Sequence, residues 1–314
     1  MYSNIRQVTH DSYLPISMQQ KLRRDYYSGI THVDNMIGLL LKYVEDKNLM
    51  ENTNIILMAD HGQNLGEFNM WSMMNLMETS LQIPLIIKPA ASSIQKDVQN
   101  RKITNEQYNY PVELVDIFPT VVALAGLPKI PFYIPGIDLT KALYTTLGDS
   151  IDNNNNVNVS TSILKKYAFS QISRCKNCTL SYATSGTPNE CMWDQKEDGK
   201  YYTVPCAMTP RNLIDYMGFS VYTYSNFRFS IFCKWDGQKL KAIEGTCVYP
   251  ELYDLRKHAD KRFVPEDGEV VNLAFDAKYQ EIRGELFNVL KSHFLFLEKG
   301  RVKNSNIIKP TLKF

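Results

Sequence analysis

Between Leu22 and Val44 the apolar residues Leu22, Tyr26, Ile30, Val33, Ile37, Leu40, Leu41 and Val44 recur at helical spacing. After a polar turn around Asp46 to Asn54 the pattern changes to the unbroken apolar run Ile55-Ile56-Leu57-Met58. A 3.6-residue period followed by a short continuous run predicts a helix feeding a strand buried on both faces. Ser17-Met18-Gln19-Gln20 has the form of a capping box at the start of that helix, which is expected to pack on a sheet. A second apolar run, Ile83-Pro84-Leu85-Ile86-Ile87, follows. A further helix is expected from near Pro111, carrying Leu114, Val115, Phe118, Val121, Val122 and Ala125 until Gly126 stops it, with Pro119 a kink or restart. Helix, strand, strand and helix in this order read as part of a layered α/β domain.

The chain has 314 residues, near the roughly 250–300 at which single cores stop growing. The reading is an α/β part over residues 1–150 and a smaller α+β part over 151–314. The stretch from Asp152, DNNNNVNVS, reads as a low-complexity loop leading into a cysteine-rich insertion without helical period. Beyond it, GFSVYTYSNFRFSIFCKWDGQKLKA alternates around Asp236-Gly237, with Asn226 an earlier turn, and predicts antiparallel strands. A final amphipathic helix places Ile282, Leu286, Val289, Leu290 and Phe294 on one face.

With 44% hydrophobic and 22% charged residues and a formal net charge of +2, the composition is that of an ordinary globular chain, with no electrostatic case for nucleic acid. No apolar run approaches the ~20 residues of a membrane span, and the first residues lack the pattern of a signal peptide. All six cysteines, Cys175, Cys178, Cys191, Cys206, Cys233 and Cys247, lie in the later part. Their clustering favours disulfides in an oxidising lumen over a zinc site at Cys175-x-x-Cys178 or free thiols. The sequons Asn158-Val-Ser and Asn177-Cys-Thr fit a glycosylated, lysosomal or secreted protein whose leader lies outside this sequence.

Asp60 and His61 follow the first apolar run, and in open α/β sheets ligands collect beyond the carboxyl ends of the strands. A carboxylate supplies a hard oxygen and an imidazole can ligate a divalent ion or hydrogen-bond an anion, so the pair is a candidate metal site. The plainer alternative is an Asp capping the next turn beside a satisfied polar His. Gly62 is expected to let the backbone turn sharply away. His32 reads as packing or surface, Lys88 and Arg101 as solvated, and Met70, Met73, Met74 and Met77 as core or loop packing in preference to a pocket lining.

Taken together, IRQ at Ile5 to Gln7, YYSGITHVDNMIGLLL from Tyr26, MADHGQNLGE from Met58, IPLII from Ile83, VELVDIFPTVVALAGLP from Val112, MGFSVYTYSNFRF from Met217 and ELYDL from Glu251 resemble the sulfatase family of the alkaline-phosphatase-like superfamily. The likeness is greatest to its iduronate-2-sulfatase members and corresponds to their C-terminal portion. It implies an alkaline-phosphatase-like α/β sandwich with a smaller C-terminal subdomain, hydrolysis of sulfate esters on glycosaminoglycan-type sugars, and Asp60 and His61 as ligands of a Ca2+ ion that polarises the sulfate.

The resemblance also implies a formylglycine nucleophile made in Cys-x-Pro-Ser-Arg and two further metal-binding aspartates, none of them in this chain. The chain is therefore expected to be a fragment that depends on a missing N-terminal half of the same protein, to be inactive alone, and to aggregate through an uncovered sheet edge. A natural short form is the alternative. Two positions depart from the family's pattern: Met73 stands where relatives carry a Lys on the sulfate, and Phe68 where they carry a His. Replacing an ammonium by a thioether removes a charge-assisted hydrogen bond to the substrate. The rival functions are a non-catalytic lumenal binding protein on the same scaffold and a metal-dependent phosphodiesterase of the superfamily.

Overall fold

A computed structural model describes residues 13–73, 75–91, 101–103, 108, 110–128, 134–146, 165–175, 214–256 and 268–295. The loop from Asp152, both sequons, and Cys178, Cys191 and Cys206 lie outside them. The chain opens with α1 (Ile16–Asp46), followed by β1 (Ile55–Met58), β2 (Asn64–Leu65), β3 (Trp71–Ser72), the short helix α2 (Glu78–Leu81) and β4 (Leu85–Lys88). After β5 (Arg101–Ile103) come α3 (Ile117–Leu124), α4 (Thr140–Leu143) and β6 (Tyr144–Thr146). The later part holds β7 (Tyr167–Cys175), β8 (Ile214–Thr223), β9 (Phe227–Asp236), β10 (Lys241–Ala242), β11 (Val248–Asp254) and α5 (Gln280–Leu290).

The core sits on the antiparallel sheet of β7 to β11. β8 pairs with β7 on one side and β9 on the other, and β10 and β11 continue from the far edge of β9. The antiparallel strands read in the sequence are present, with the β8–β9 turn at Asn226 in left-handed conformation at φ 60°. Met217, Phe219, Val221, Phe229 and Ile231 pack against Leu286 and Leu290 of α5, the amphipathic helix expected there. The Glu251 to Leu255 motif ends β11, and Asn272 fastens it: its Oδ1 accepts from Leu252 N (3.0 Å) and its Nδ2 donates to Pro250 O (3.0 Å). Cys233 and Cys247 form a disulfide between β9 and the approach to β11.

The other face of the sheet is also covered. A Cβ on Gly218 would lie 3.0 Å from the Leu76 side chain and closer still to the Phe232 ring, so β8 has no room for a side chain there. Leu76 and the residues after it lie over this face, which is why consecutive residues of β8 and β9, and not alternate ones, are buried.

Three sequence expectations are corrected. The helix at Ile16 begins on Pro15 without a side-chain cap, so Ser17 to Gln20 is not a capping box; Gln19 Nε2 instead donates to Leu14 O (2.7 Å). α1 does not pack on a sheet among the described residues: it buries Leu22 and leaves Tyr27, Ile30, Val33, Leu40 and Tyr43 exposed, because only its first turns meet other elements. β1 is not buried on both faces: it forms a two-stranded antiparallel ribbon with β4, Ile55 opposite Lys88, and both Met58 and Ile86 are exposed. His32 lies on the exposed surface of α1, and the Lys88 ammonium reaches Met50 O (3.2 Å).

The helix expected near Pro111 starts later and in two steps. A 3-10 turn over Leu114–Asp116 is closed by a true capping box, Glu113 and Asp116 each accepting from the other's backbone, and α3 restarts at Ile117. Pro119 then falls in the first turn, where a missing N–H costs nothing. Gly126, at φ 64°, ends it as expected.

Candidate functional site

Asp60 and His61 lie just past the end of β1, on the corner that leads into β2. Asp60 Oδ1 accepts from the His61 backbone N–H (3.0 Å), His61 Nε2 is 3.6 Å from Asp60 Oδ2, and His61 Nδ1 is 2.9 Å from Gly62 O. The two side chains are 86% and 44% exposed respectively, so the carboxylate keeps an outward oxygen.

The corner is held from below by α2. Gly62 N donates to Ser80 O (2.9 Å), and a Cβ at Gly62 would meet Thr79 O at 2.0 Å. Glycine is required at 62 for close backbone approach. Asn64, fully buried, fixes the next residues: its amide donates to Ser80 Oγ (3.1 Å) and its carbonyl accepts from Thr79 Oγ1. Gly66, at φ 112°, turns the chain where a Cβ would strike Arg23 and the Trp71 ring. Arg23 of α1 lies 5.6 Å from that ring and donates from Nε to Leu65 O (2.8 Å). Glu67 accepts from Leu65 N (2.5 Å).

A cleft of about 400 Å³ opens beside the corner, walled by Tyr26 and Ile30 of α1, by His61 and Glu67, and by Glu78 and Thr79 of α2. Phe68 is partly exposed at φ 52° on the turn after Gly66. Met70, Met73 and Met77 are half-buried, with Asn75 Nδ2 4.0 Å from Met70 Sδ; Met74 lies outside the described residues.

Beneath the cleft is a cluster that the sequence pattern did not bring out. Arg228 of β9 is 3% exposed and pairs with two carboxylates, Glu78 and Glu269, with its Nε 2.7 Å from Glu269 Oε1. Glu269 is 5% exposed and accepts from Glu78 N through Oε2 (2.7 Å). Burial lowers the Arg228 pKa, opposed by the Glu269 charge, and burial raises that of Glu269, opposed by Arg228. Burial and the nearby Glu269 also raise Glu251, opposed by Arg174. An arginine between Phe227 and Phe229 in an otherwise apolar strand was the available signal, since a buried guanidinium requires carboxylate partners. Glu78 and Glu269 carried none.

Asp60 and His61 offer a carboxylate and an imidazole, two donor types that a divalent cation takes. A hard cation of the calcium type takes six to eight oxygens, and among the described residues no group of three or more His, Cys, Asp or Glu converges on one point. The pair supplies one carboxylate and one imidazole, with Asp60 solvent-facing.

The segment that carries this corner is similar to known proteins. Residues 4–127 match the sulfatase family. Iduronate 2-sulfatase of Mus musculus is 29% identical over 133 residues, which are 38% of this chain and 24% of that protein. Arylsulfatase K of Xenopus laevis is 26% identical over 263 residues, 76% of this chain and 44% of that protein. A solved structure of a phosphonate monoester hydrolase from Silicibacter pomeroyi superposes with a TM-score of 0.56 at 20% identity, covering 90% of this chain and 42% of that one. The superposition shows the alkaline-phosphatase-like fold. The chain thus spans less than half the length of each of these proteins, and the sulfatase match includes Asp60, His61 and all of α2.

Proposed function

We propose that the Asp60–His61 corner forms part of the Ca2+ site of a sulfatase that hydrolyses sulfate esters on glycosaminoglycan-type sugars, in the manner of iduronate 2-sulfatase. The observation that carries this reading is the position of a solvent-facing carboxylate and an imidazole at one strand end, inside the segment that matches the sulfatases and beside an open cleft. A bound divalent cation supplies Lewis-acid polarisation of an anionic ester. Asp60 contributes the hard oxygen and His61 the imidazole. Gly62 through its backbone and Asn64 through its side chain hold both in place, while Tyr26 and Ile30 offer an apolar wall to a sugar ring.

Residues 1–150 are read as part of the α/β catalytic domain and 151–314 as its C-terminal subdomain. These 314 residues contain no Cys-x-Pro-Ser-Arg, the source of a formylglycine nucleophile, so this chain alone is proposed to bind and not to turn over. The Cys233–Cys247 disulfide supports an oxidising, lysosomal or secreted location. Met73 and Phe68 support a second reading, a scaffold that binds sulfated sugar without hydrolysis.

Calorimetric titration with Ca2+ tests the site. The 314-residue chain binds the ion, Asp60→Asn weakens binding at least tenfold, and a sulfated iduronate disaccharide binds only when Ca2+ is present. Absence of Ca2+ binding, or binding of sugar that ignores the ion, overturns the proposal. Sequencing the transcript upstream of the Met1 codon separates the two readings: an in-frame Cys-x-Pro-Ser-Arg supports hydrolysis, and its absence supports binding alone.

A further inference from the structure

We infer that Arg228 and Glu269, in the C-terminal part of the chain, are positioning residues for the Asp60–His61 corner, acting through the short helix α2. A continuous path of contacts joins the pair to the corner. Arg228 is anchored in the central strand β9 and pairs with Glu269 (2.7 Å) and with the Glu78 carboxylate. Glu269 in turn accepts from the Glu78 backbone N–H (2.7 Å), so the pair holds both the side chain and the backbone of the first residue of α2. Thr79 and Ser80 of α2 hold the corner: Thr79 Oγ1 donates to Asn64, Asn64 Nδ2 donates to Ser80 Oγ (3.1 Å), and Gly62 N donates to Ser80 O (2.9 Å). Gly62 O then meets His61 Nδ1 at 2.9 Å.

From Arg228 to Ser80 the links are buried or part-buried, and the Gly62 backbone lies against Thr79 without room for a methyl group. Interdigitation this tight transmits displacement, because packed interiors do not deform continuously. α2 has four residues and no side-chain cap, so its position is not set by its own helical hydrogen bonds. The sheet therefore decides where α2 sits, and α2 decides where the corner sits. Arg228 and Glu269 do not line the cleft; they act on His61 at four removes, across 191 residues of sequence between Glu78 and Glu269.

Only the Ca2+ readout rests on the reading in the preceding subsection, and the test separates the two. Glu269→Gln in the full chain keeps an acceptor for Glu78 N and removes the charge that pairs with Arg228. Thr79→Val removes one of the three hydrogen bonds between α2 and the corner, the one to Asn64, without touching the ion pair. Amide hydrogen exchange is followed at Gly62 and, as a reference for global opening, at Val221 in β8. Each variant speeds exchange at Gly62 at least tenfold relative to Val221 and weakens Ca2+ binding at least threefold. The double variant adds little beyond the larger single effect, since both break one path. Gly62 exchange that rises only in step with Val221 overturns the inference, because the pair then contributes stability and nothing local. If the unaltered chain binds no Ca2+, the metal reading fails by itself, and the Gly62 to Val221 ratio decides the positioning role alone.

Discussion

Gly62 shows how one absent methyl group can define a site. Its Cα lies against the Thr79 backbone, and the atom that an alanine would add falls 2.0 Å from Thr79 O. Backbone atoms cannot rotate out of the way, so Gly62→Ala must separate the corner from α2. We expect a loss of about 1–3 kcal/mol by overpacking, read by denaturant unfolding, together with a shift of the His61 ring resonances. Tyr253 offers a residue-scale prediction in pH. It is buried, and burial followed by the charges of Glu251 and Glu269 raises its pKa, with Arg228 opposing. In the unfolded chain the phenol titrates near about 10, so above that pH the unfolded state has released a proton that the folded state keeps. Stability is therefore unaffected by this group below about pH 10 and falls as pH rises beyond it. Tyr253→Phe flattens that fall in alkaline denaturation curves, and a slope equal to that of the unaltered chain refutes the assignment.

Among the elements, α3 depends on a buried charge. Asp116 is fully buried and accepts from Glu113 N (2.8 Å), from Ile137 N (2.8 Å) and from the Lys165 ammonium (2.6 Å). Lys165 also pairs with Glu113, and Phe169 N donates to Glu113 Oε1 (3.0 Å), so the start of α3 is tied to β7. Asp116→Ala leaves a largely buried ammonium with one partner fewer and two backbone donors unpaired. The expected cost is about 3–5 kcal/mol, measured by thermal or urea unfolding. The helical period and the stop at Gly126 were legible in the sequence, and so were the hairpin at Asn226 and the apolar face of α5. All of these are local signals, set by residues within a few turns of one another. The cap at Glu113–Asp116 was missed because its second function, meeting Lys165, joins residues 49 apart.

For the molecule as a whole, the later sheet is the scaffold and the Asp60–His61 corner is carried on it. Its one face is closed by α5 and its other by the segment from Leu76 to Glu78, which brings the two parts of the chain into a single network through Arg228. The Cys233–Cys247 disulfide closes β9 onto the start of β11 across 14 residues. Removing it by a double Cys→Ser change should cost about 3 kcal/mol, the chain-entropy value for a loop of this size. Because β9 carries Arg228, the same change should loosen α2 as well, read as faster exchange at Gly62. A thermal midpoint insensitive to reductant would refute the structural role of the bridge.

The sequence alone determined the order of α1, β1, β4, α3, β8, β9 and α5, the antiparallel character of the later sheet, the sulfatase resemblance and the placement of Asp60 and His61 at a strand end. Periodicity, turn residues and short motifs act over a few residues, and that information survives in one dimension. Only the tertiary structure decided that α1 keeps most of its apolar residues exposed among the described residues, that β1 pairs antiparallel with β4, and that Gly62 serves close approach. It alone placed Glu78, Arg228 and Glu269 together. Those outcomes depend on which distant surfaces meet, and on a buried guanidinium finding its carboxylates 150 and 41 residues away along the chain, measured from Glu78 to Arg228 and from Arg228 to Glu269.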